Sequence, residues 1–241
     1  MDRRAALALL GTMFLSACGG GGGGGGTAAA DSQAATTPAP EPAPAPAAAP
    51  EPPRTRNIAF WGDSMTPGVA LRLQQRYPDR EVYNGGVAGE TSAQIAARET
   101  SDTAGHNEWI NIFWYGQNNP DEPAQIKADL AASIATLAPG NTRYLVLAVV
   151  NEAKPEQSRG APVHDTIVQL NNELAALYPD HYLDVRTFLV NHYDPARPED
   201  VTNFQDDVPP RSLRFDEIHQ NNEGAELVTD WLKGILDARG W

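Results

Sequence analysis

The sequence is poor in cysteine and in positive charge, and it contains no long hydrophobic run. Its single cysteine, Cys18, excludes a disulfide within the chain. Lysine and arginine number 18 against 31 aspartates and glutamates, and they form no basic cluster, so nucleic acid is not an expected partner. The apolar run at residues 5–17 has 13 residues, fewer than the ~20 that a membrane-spanning helix needs.

That short run has the layout of an export signal. It follows Asp2, Arg3 and Arg4 and ends in Leu-Ser-Ala-Cys, directly before eight glycines. This pattern resembles the lipobox of bacterial lipoproteins, which implies cleavage before Cys18 and acylation of its thiol. An ordinary cleaved signal with an incidental cysteine is the alternative. Since Gly19, and not aspartate, follows the cysteine, the resemblance implies a lipid-anchored protein of the cell envelope, facing away from the cytoplasm, with the outer membrane as the expected address and the inner membrane left open.

The next segment, residues 19–56, is low in complexity. It contains a glycine run, an Ala/Thr/Ser patch and a tract with eight prolines between Pro38 and Pro53. Such a composition buries too little apolar surface to offset the entropy of ordering, so we expect a disordered tether. We therefore divide the chain into a signal (1–17), a lipidated cysteine with its tether (18–56) and a folded domain (57–241).

Within the domain, apolar β-branched and aromatic runs alternate with segments of helical periodicity. Strands are predicted at 57–61, 81–83, 109–115, 143–150 and 182–185, and helical spacing recurs in 126–137, 167–177 and 227–236. This alternation predicts an α/β fold built from βαβ units around a parallel sheet, with a site at the carboxyl ends of the strands. The stretch 191–215, with four prolines, is predicted to be a binding loop or lid.

Two short sequences suggest a nucleophile and its base. Gly62-Asp63-Ser64 follows the first predicted strand, and Asp216 precedes His219 by three residues just before the last helix. A serine hydroxyl needs an imidazole to take its proton, and the imidazole needs a carboxylate to orient it. Taken separately, the first sequence also suits a turn or a helix cap, and the second occurs readily by chance.

Two further segments could supply donors for an oxyanion. Residues 84–91 read Asn-Gly-Gly-Val-Ala-Gly-Glu-Thr after the second strand, where missing side chains allow backbone N–H groups to approach a ligand. Residues 116–119 read Gly-Gln-Asn-Asn after the third strand and offer a side-chain amide at the same edge. Each segment alone is equally well a turn glycine or a strand-ending asparagine.

Together, these four blocks resemble those of the SGNH (GDSL) hydrolases across residues 57–241. The resemblance implies a flavodoxin-like three-layer α/β/α sandwich with a five-stranded parallel sheet. It implies Ser64 as nucleophile, His219 as general base and then acid, and Asp216 as its orienting partner. The oxyanion hole would comprise the N–H groups of Ser64 and Gly89 and the amide of Asn118.

The sequence departs from the family pattern at two positions. Asn119 stands where the third block usually has aspartate, and Glu90 stands where the second commonly has aspartate. Neither position carries a catalytic group in the family, so the departures concern local hydrogen bonding. The Gly-x-Ser-x-Gly elbow of the α/β-hydrolases is absent, because Met65 and Thr66 follow Ser64.

The expected function is therefore hydrolysis of carboxylic esters through an acyl-enzyme, on a small-molecule or glycan substrate with short acyl groups. An O-acetylated carbohydrate is the favoured class. Alternatives on the same residues are a carbohydrate O-acyltransferase, a lysophospholipase or a thioesterase, and a non-catalytic glycan-binding module is a further one. The chemistry requires no cofactor and no metal, and no His-Glu-x-x-His motif occurs. The expected membrane contact is through the N-terminal lipid, and the sequence leaves the oligomeric state open.

Overall fold

The computed structural model describes residues 55–102 and 105–241. The predicted signal, Cys18 and all but the last two residues of the predicted tether lie outside these residues. Within the described ranges, no helix is both long and apolar enough to cross a bilayer.

Five parallel strands form one sheet in the order β2-β1-β3-β4-β5. This is the flavodoxin-like strand order, in which all carboxyl ends meet along one edge. The predicted fold class is thereby confirmed. The strands are β1 (Ile58–Gly62), β2 (Val82–Gly86), β3 (Ile110–Trp114), β4 (Tyr144–Leu147) and β5 (Tyr182–Leu183).

Helices cover both faces of the sheet, and each face has its own apolar core. Ile58 and Phe60 of β1 pack in the core formed with α1, α5 and α7, whereas Ala59 and Trp61 pack in the core formed with α2, α3 and α4. Burial on both sides explains why the strand sequence is continuously apolar. The helices are α1 (Thr66–Arg76), α2 (Ser92–Thr100), α3 (Pro123–Ala135), α4 (Pro162–Leu177), α5 (Val185–Asn191), α6 (Pro198–Gln205) and α7 (Asn222–Ala238).

Strand β2 runs further than the sequence predicted. Gly85 and Gly86 belong to the strand and not to the turn after it. A Cβ atom at Gly85 would lie 2.9 Å from the Trp61 ring, and one at Gly86 would lie 2.7 Å from the Pro67 ring. These glycines therefore permit close packing of β2 against its neighbours, and the turn proper begins at Val87.

The segment 191–215, predicted to be an irregular loop, is regular over part of its length. The segment contains α6 and a 3₁₀ turn at Arg211–Leu213. Asp200 of α6 is buried and accepts hydrogen bonds from Ser212 N (3.0 Å), Ser212 Oγ (2.5 Å) and Asp194 N (3.1 Å). Buried polar contacts order this segment, and apolar periodicity cannot reveal such contacts.

Glu99 on α2 provides a test of how burial affects stability. Its side chain is 5% exposed. Burial, opposed by hydrogen bonds from Ser133 and Thr136, raises the pKa of Glu99 from 4.5 to about 7. The folded protein thus holds this proton more tightly than the unfolded chain does, so the contribution of Glu99 to stability falls as the pH rises from 4.5 to about 7.

We expect the free energy of unfolding of Glu99→Gln to exceed that of the parent protein by up to about 3 kcal/mol at pH 8. At pH 5 this difference should be smaller. Urea unfolding at the two pH values measures the difference. Asp79→Asn, at an exposed carboxyl, is the control and should give no such pH-dependent gain. A Glu99→Gln protein that is less stable at pH 8 would show that the carboxylate is needed in its charged form.

Candidate active site

Ser64 lies where β1 turns into α1, at the carboxyl edge of the sheet. Asp63 Oδ1 accepts a hydrogen bond from Met65 N (3.0 Å), and Asp63 O accepts one from Thr66 N (3.2 Å), which shapes the turn. A Cβ atom at Gly62 would lie 2.4 Å from the carbonyl oxygen of Trp114, so only glycine fits before this turn. The local sequence thus presents the Ser64 side chain at the sheet edge.

The turn before α7 brings His219 to Ser64. Nε2 of His219 lies 2.8 Å from Ser64 Oγ, and Nδ1 lies 2.7 Å from Asp216 Oδ2. The other oxygen of Asp216 accepts hydrogen bonds from Ile218 N (2.9 Å) and His219 N (2.7 Å). When Nδ1 donates to the carboxylate, Nε2 is left as the acceptor for the serine hydroxyl. The structure therefore joins the three residues in a continuous hydrogen-bonded chain.

Two carboxyl groups near Ser64, those of Asp216 and Asp63, have pKa values shifted in opposite directions. Burial acts to raise the pKa of Asp216, but hydrogen bonds from Ile218 N, His219 N and the imidazole outweigh it and lower that pKa to about 2. Burial dominates at Asp63 and raises its pKa to about 6, against the opposing effects of Met65 N and His219. Asp216 is therefore the ionised partner of the imidazole, whereas Asp63 holds a proton more readily.

Gly89 and Asn118 line the same cavity as Ser64. Gly89 has φ +79°, a conformation that favours glycine, and a Cβ atom there would meet no heavy atom within 4 Å. Asn118 Nδ2 donates to Glu90 O (2.9 Å) and lies 3.4 Å from Asp63 Oδ2. The amide is thus tied to the loop that carries Gly89, and an oxyanion would have to replace one of these partners.

Asn119 and Glu90, the two positions where the sequence differs from the pattern that it resembles, both bond to residues of α2. Asn119 Oδ1 accepts from Ser92 N (3.0 Å), and Asn119 Nδ2 donates to Ser92 Oγ (3.0 Å) and Glu122 Oε2 (3.0 Å). An ionised aspartate could accept the first bond but could not donate the others. Glu90 forms an ion pair with Arg98 at 2.7 Å. Asn119 therefore connects the turn after β3 to α2, and Glu90 connects the Gly89 loop to α2.

Sequence reasoning missed one wall of the cavity. This cavity has a volume of about 330 Å³. Besides the predicted residues, it is lined by Gln117, Glu152, Lys154 and Glu217. Glu152 and Lys154 follow the carboxyl end of β4, and Ala153 N donates to Glu217 O at 2.8 Å. The position after a buried strand was the available signal, because ligands bind at that edge of a parallel sheet.

The segment 191–215 borders the site and does not cover it, contrary to the prediction of a lid. None of its residues, all of which the structure describes, lines the cavity. Its last residue, Phe215, stacks on the His219 ring with centroids 5.5 Å apart.

Asp207 of this segment, at φ +57°, accepts a hydrogen bond from Arg186 (2.6 Å). The Nε atom of Arg186 donates to Asn151 Oδ1 (2.9 Å). Asn151 directly precedes Glu152, which lines the cavity. The segment 191–215 therefore stabilises this wall through Arg186, on the side away from the cavity.

Comparison with known protein sequences gives a distant match to a much longer protein. No family model matches the sequence. The tail spike protein of Salmonella phage epsilon15 is 27% identical over 149 residues, which amount to 56% of this chain and 14% of that protein. The chain thus spans about a seventh of the length of that relative.

Solved structures show the same fold at low sequence identity. A lipase/acylhydrolase from Enterococcus faecalis has a TM-score of 0.58 at 15% identity, covering 77% of this chain and 97% of that one. An acetyl xylan esterase has a TM-score of 0.58 at 16% identity, with 75% and 99% covered. A GDSL-like lipase from Bacteroides thetaiotaomicron has a TM-score of 0.58 at 17% identity, with 76% and 89% covered. The chain therefore shares the fold of structures described as acylhydrolases, esterases and lipases.

Proposed function

We propose that this chain is an SGNH (GDSL) hydrolase that cleaves carboxylic esters through a covalent acyl-enzyme. The observation that carries the proposal is the chain of contacts from Asp216 through His219 to Ser64, at 2.7 and 2.8 Å. A serine, an imidazole and an ionised carboxylate in this order are the components of an activated hydroxyl nucleophile. The similarity in fold to solved acylhydrolases and esterases supports the same chemistry.

In the acylation step, Ser64 Oγ attacks the carbonyl carbon of the ester while its proton moves to His219 Nε2. The resulting imidazolium is stabilised by the carboxylate of Asp216. When the tetrahedral intermediate collapses, the bond to the leaving oxygen breaks and His219 gives that oxygen the proton. The alcohol leaves, and the acyl group remains on Ser64. Water then attacks in the same way, with His219 again taking and returning a proton.

The negative oxygen of the tetrahedral intermediate would be stabilised by three donors. These are the backbone N–H groups of Ser64 and Gly89 and the side-chain amide of Asn118. Donors held in place before the reaction stabilise this charge without having to reorganise. Asn118 meets that condition in part, because its bond to Glu90 O keeps it beside the Gly89 loop.

The shape and polarity of the cavity favour a short acyl group on a hydroxylated alcohol. The cavity has a volume of about 330 Å³, and its wall includes the charged side chains of Glu152, Lys154 and Glu217. Of the residues that line it, only Ala88 and Ile218 have apolar side chains that a long acyl chain could contact. We infer that the substrate is a carbohydrate bearing small acyl groups, which agrees with the similarity in fold to an acetyl xylan esterase.

A panel of p-nitrophenyl esters from acetate to palmitate, assayed with and without xylobiose, tests the proposal. Hydrolysis should be fastest for acetate and decline as the acyl chain lengthens. Acylated xylobiose as the main product would indicate an acyltransferase, and a preference for long chains would indicate a lipase-type enzyme. A protein that turns over no ester and does not react with a fluorophosphonate would be a binding module instead.

We further propose that the domain is displayed in the cell envelope, on a lipid attached at Cys18. This follows from the lipobox-like sequence and from the low-complexity segment between Cys18 and residue 57. Several acyl chains hold a protein stably on a membrane, whereas a single chain binds only marginally.

We expect Cys18→Ser to prevent acylation, because the thiol is the only group at this position that the lipidation chemistry uses. Radiolabelled palmitate should enter the parent protein and be absent from the variant. A truncated chain beginning at Asn57 should hydrolyse esters at the parent rate, since no predicted catalytic or oxyanion-hole residue precedes it. Palmitate in the Cys18→Ser protein would disprove the attachment site.

A further inference from the structure

Gln117 has a buried amide that makes no hydrogen bond. Its side chain is 8% exposed, and neither Nε2 nor Oε1 finds a partner among the described residues. A buried amide without partners costs free energy, because folding removes its bonds to water and supplies none in return. A buried amide without a partner in a native protein is therefore explained either by ligand binding or by strain.

Neighbouring residues hold Gln117 at the cavity wall. Gly116 has φ +110°, and a Cβ atom there would lie 3.0 Å from Val149, so the turn after β3 accepts only glycine. On the other side, Asn118 is bound to Glu90 O and Asn119 to Ser92 N. The backbone of Gln117 is therefore fixed, and the residue lines the same cavity as Ser64, Gly89 and Asn118.

Three other polar side chains of this cavity have partners within the protein. Asn118 donates to Glu90 O, Lys154 forms an ion pair with Glu152, and Asp216 binds His219. Gln117 differs, because its amide can turn towards a ligand without breaking a hydrogen bond. Its free donor and free acceptor match a pair of adjacent hydroxyl groups, one accepting from Nε2 and the other donating to Oε1.

We propose that Gln117 is a specificity residue that binds hydroxyl groups on the alcohol part of the ester and so selects acylated sugars over simple esters. The inference rests on the proposed function and adds to it the residue that recognises the sugar. In the structure both polar atoms of the amide are shielded from solvent. Rotation of the side-chain torsions turns it to the substrate, where both of its atoms gain partners.

The test compares acetate release from acetylated xylobiose with hydrolysis of p-nitrophenyl acetate, whose alcohol part carries no free hydroxyl. In Gln117→Met, the ratio of kcat/KM for the sugar ester to that for the simple ester should fall about tenfold or more, through KM. The melting temperature should stay the same or rise, because an unsatisfied amide has been replaced by an apolar group of similar size. Gln117→Ala should show the same fall in the ratio.

Gln74→Met is the matched control, because both Nε2 and Oε1 of Gln74 are hydrogen-bonded and the residue does not line the cavity. Its Nε2 donates to Tyr77 O (3.2 Å) and Arg80 O (2.8 Å), and its Oε1 accepts from Val82 N (2.9 Å). Gln74→Met should melt at a lower temperature and keep the parent ratio of the two kcat/KM values.

The possible outcomes separate this inference from the proposed function. An unchanged ratio in the Gln117 variants, or a loss of stability like that of Gln74→Met, would show that Gln117 is structural. A parent protein that hydrolyses p-nitrophenyl acetate but not acetylated xylobiose would overturn the inference and leave the esterase proposal intact. A protein that hydrolyses neither and does not react with a fluorophosphonate would refute the esterase proposal itself.

Discussion

Ser64→Ala is expected to lower kcat for ester hydrolysis by about 10⁶-fold, the size of loss seen when a serine hydrolase loses its nucleophile. The reason is chemical, because alanine offers no oxygen to attack the ester. The fold should persist, since the one hydrogen bond that the hydroxyl makes with a described residue is that to His219 Nε2 at 2.8 Å. Turnover of p-nitrophenyl acetate, fluorophosphonate labelling and the melting temperature measure the result.

The control for this experiment is Ser101→Ala, at the carboxyl end of α2. The Ser101 hydroxyl donates to Arg98 O at 2.9 Å and has no place in the cavity. This variant should label and turn over ester like the parent. Stoichiometric labelling of Ser64→Ala with retained turnover would mean that another residue is the nucleophile.

His219→Ala should reduce kcat almost as far, by about 10⁶-fold, because a serine hydroxyl without its base is a weak nucleophile at neutral pH. Asp216→Ala should cost less, about 10⁴-fold, since it orients the imidazole and stabilises its charge without transferring a proton.

A double variant tests whether Ser64 and His219 act as one unit. Ser64→Ala combined with His219→Ala should be no slower than either single variant, because the second change removes a partner that has already lost its role. Losses that multiply would show that the two residues act independently. His192→Ala is the control, since His192 is exposed and contacts Phe188 O away from the cavity.

The five strands and three of the seven helices in the described residues, α3, α4 and α7, could be predicted from local sequence patterns. Burial on both faces makes β1 and β3 continuously apolar, and the final helix shows its buried stripe at Val228, Leu232 and Leu236. Helix α6 escaped prediction because it is short and is ordered by Asp200, a buried carboxylate with polar partners. Hydrophobic periodicity carries no information about contacts of that kind.

The candidate nucleophile and base were recognisable because each lies within a short local sequence. Gly62 and Asp63 shape the turn at Ser64, and the spacing of three residues lets Asp216 reach both the backbone and the ring of His219. These contacts depend on a few consecutive residues, so residue type and order indicate them directly. The strand-end rule then predicts that the Ser64 segment lies at the carboxyl edge of the sheet.

The sequence by itself determined the α/β architecture and the candidate residues for chemistry, because both depend on local patterns and on a general rule of parallel sheets. Only the tertiary structure placed Ser64 and His219, 155 residues apart, at hydrogen-bond distance. It alone added Glu152 and Lys154 to the cavity wall and left the amide of Gln117 without a partner. The physical reason is that hydrogen bonding and burial depend on distances between segments remote in sequence, which the packing of the whole domain sets.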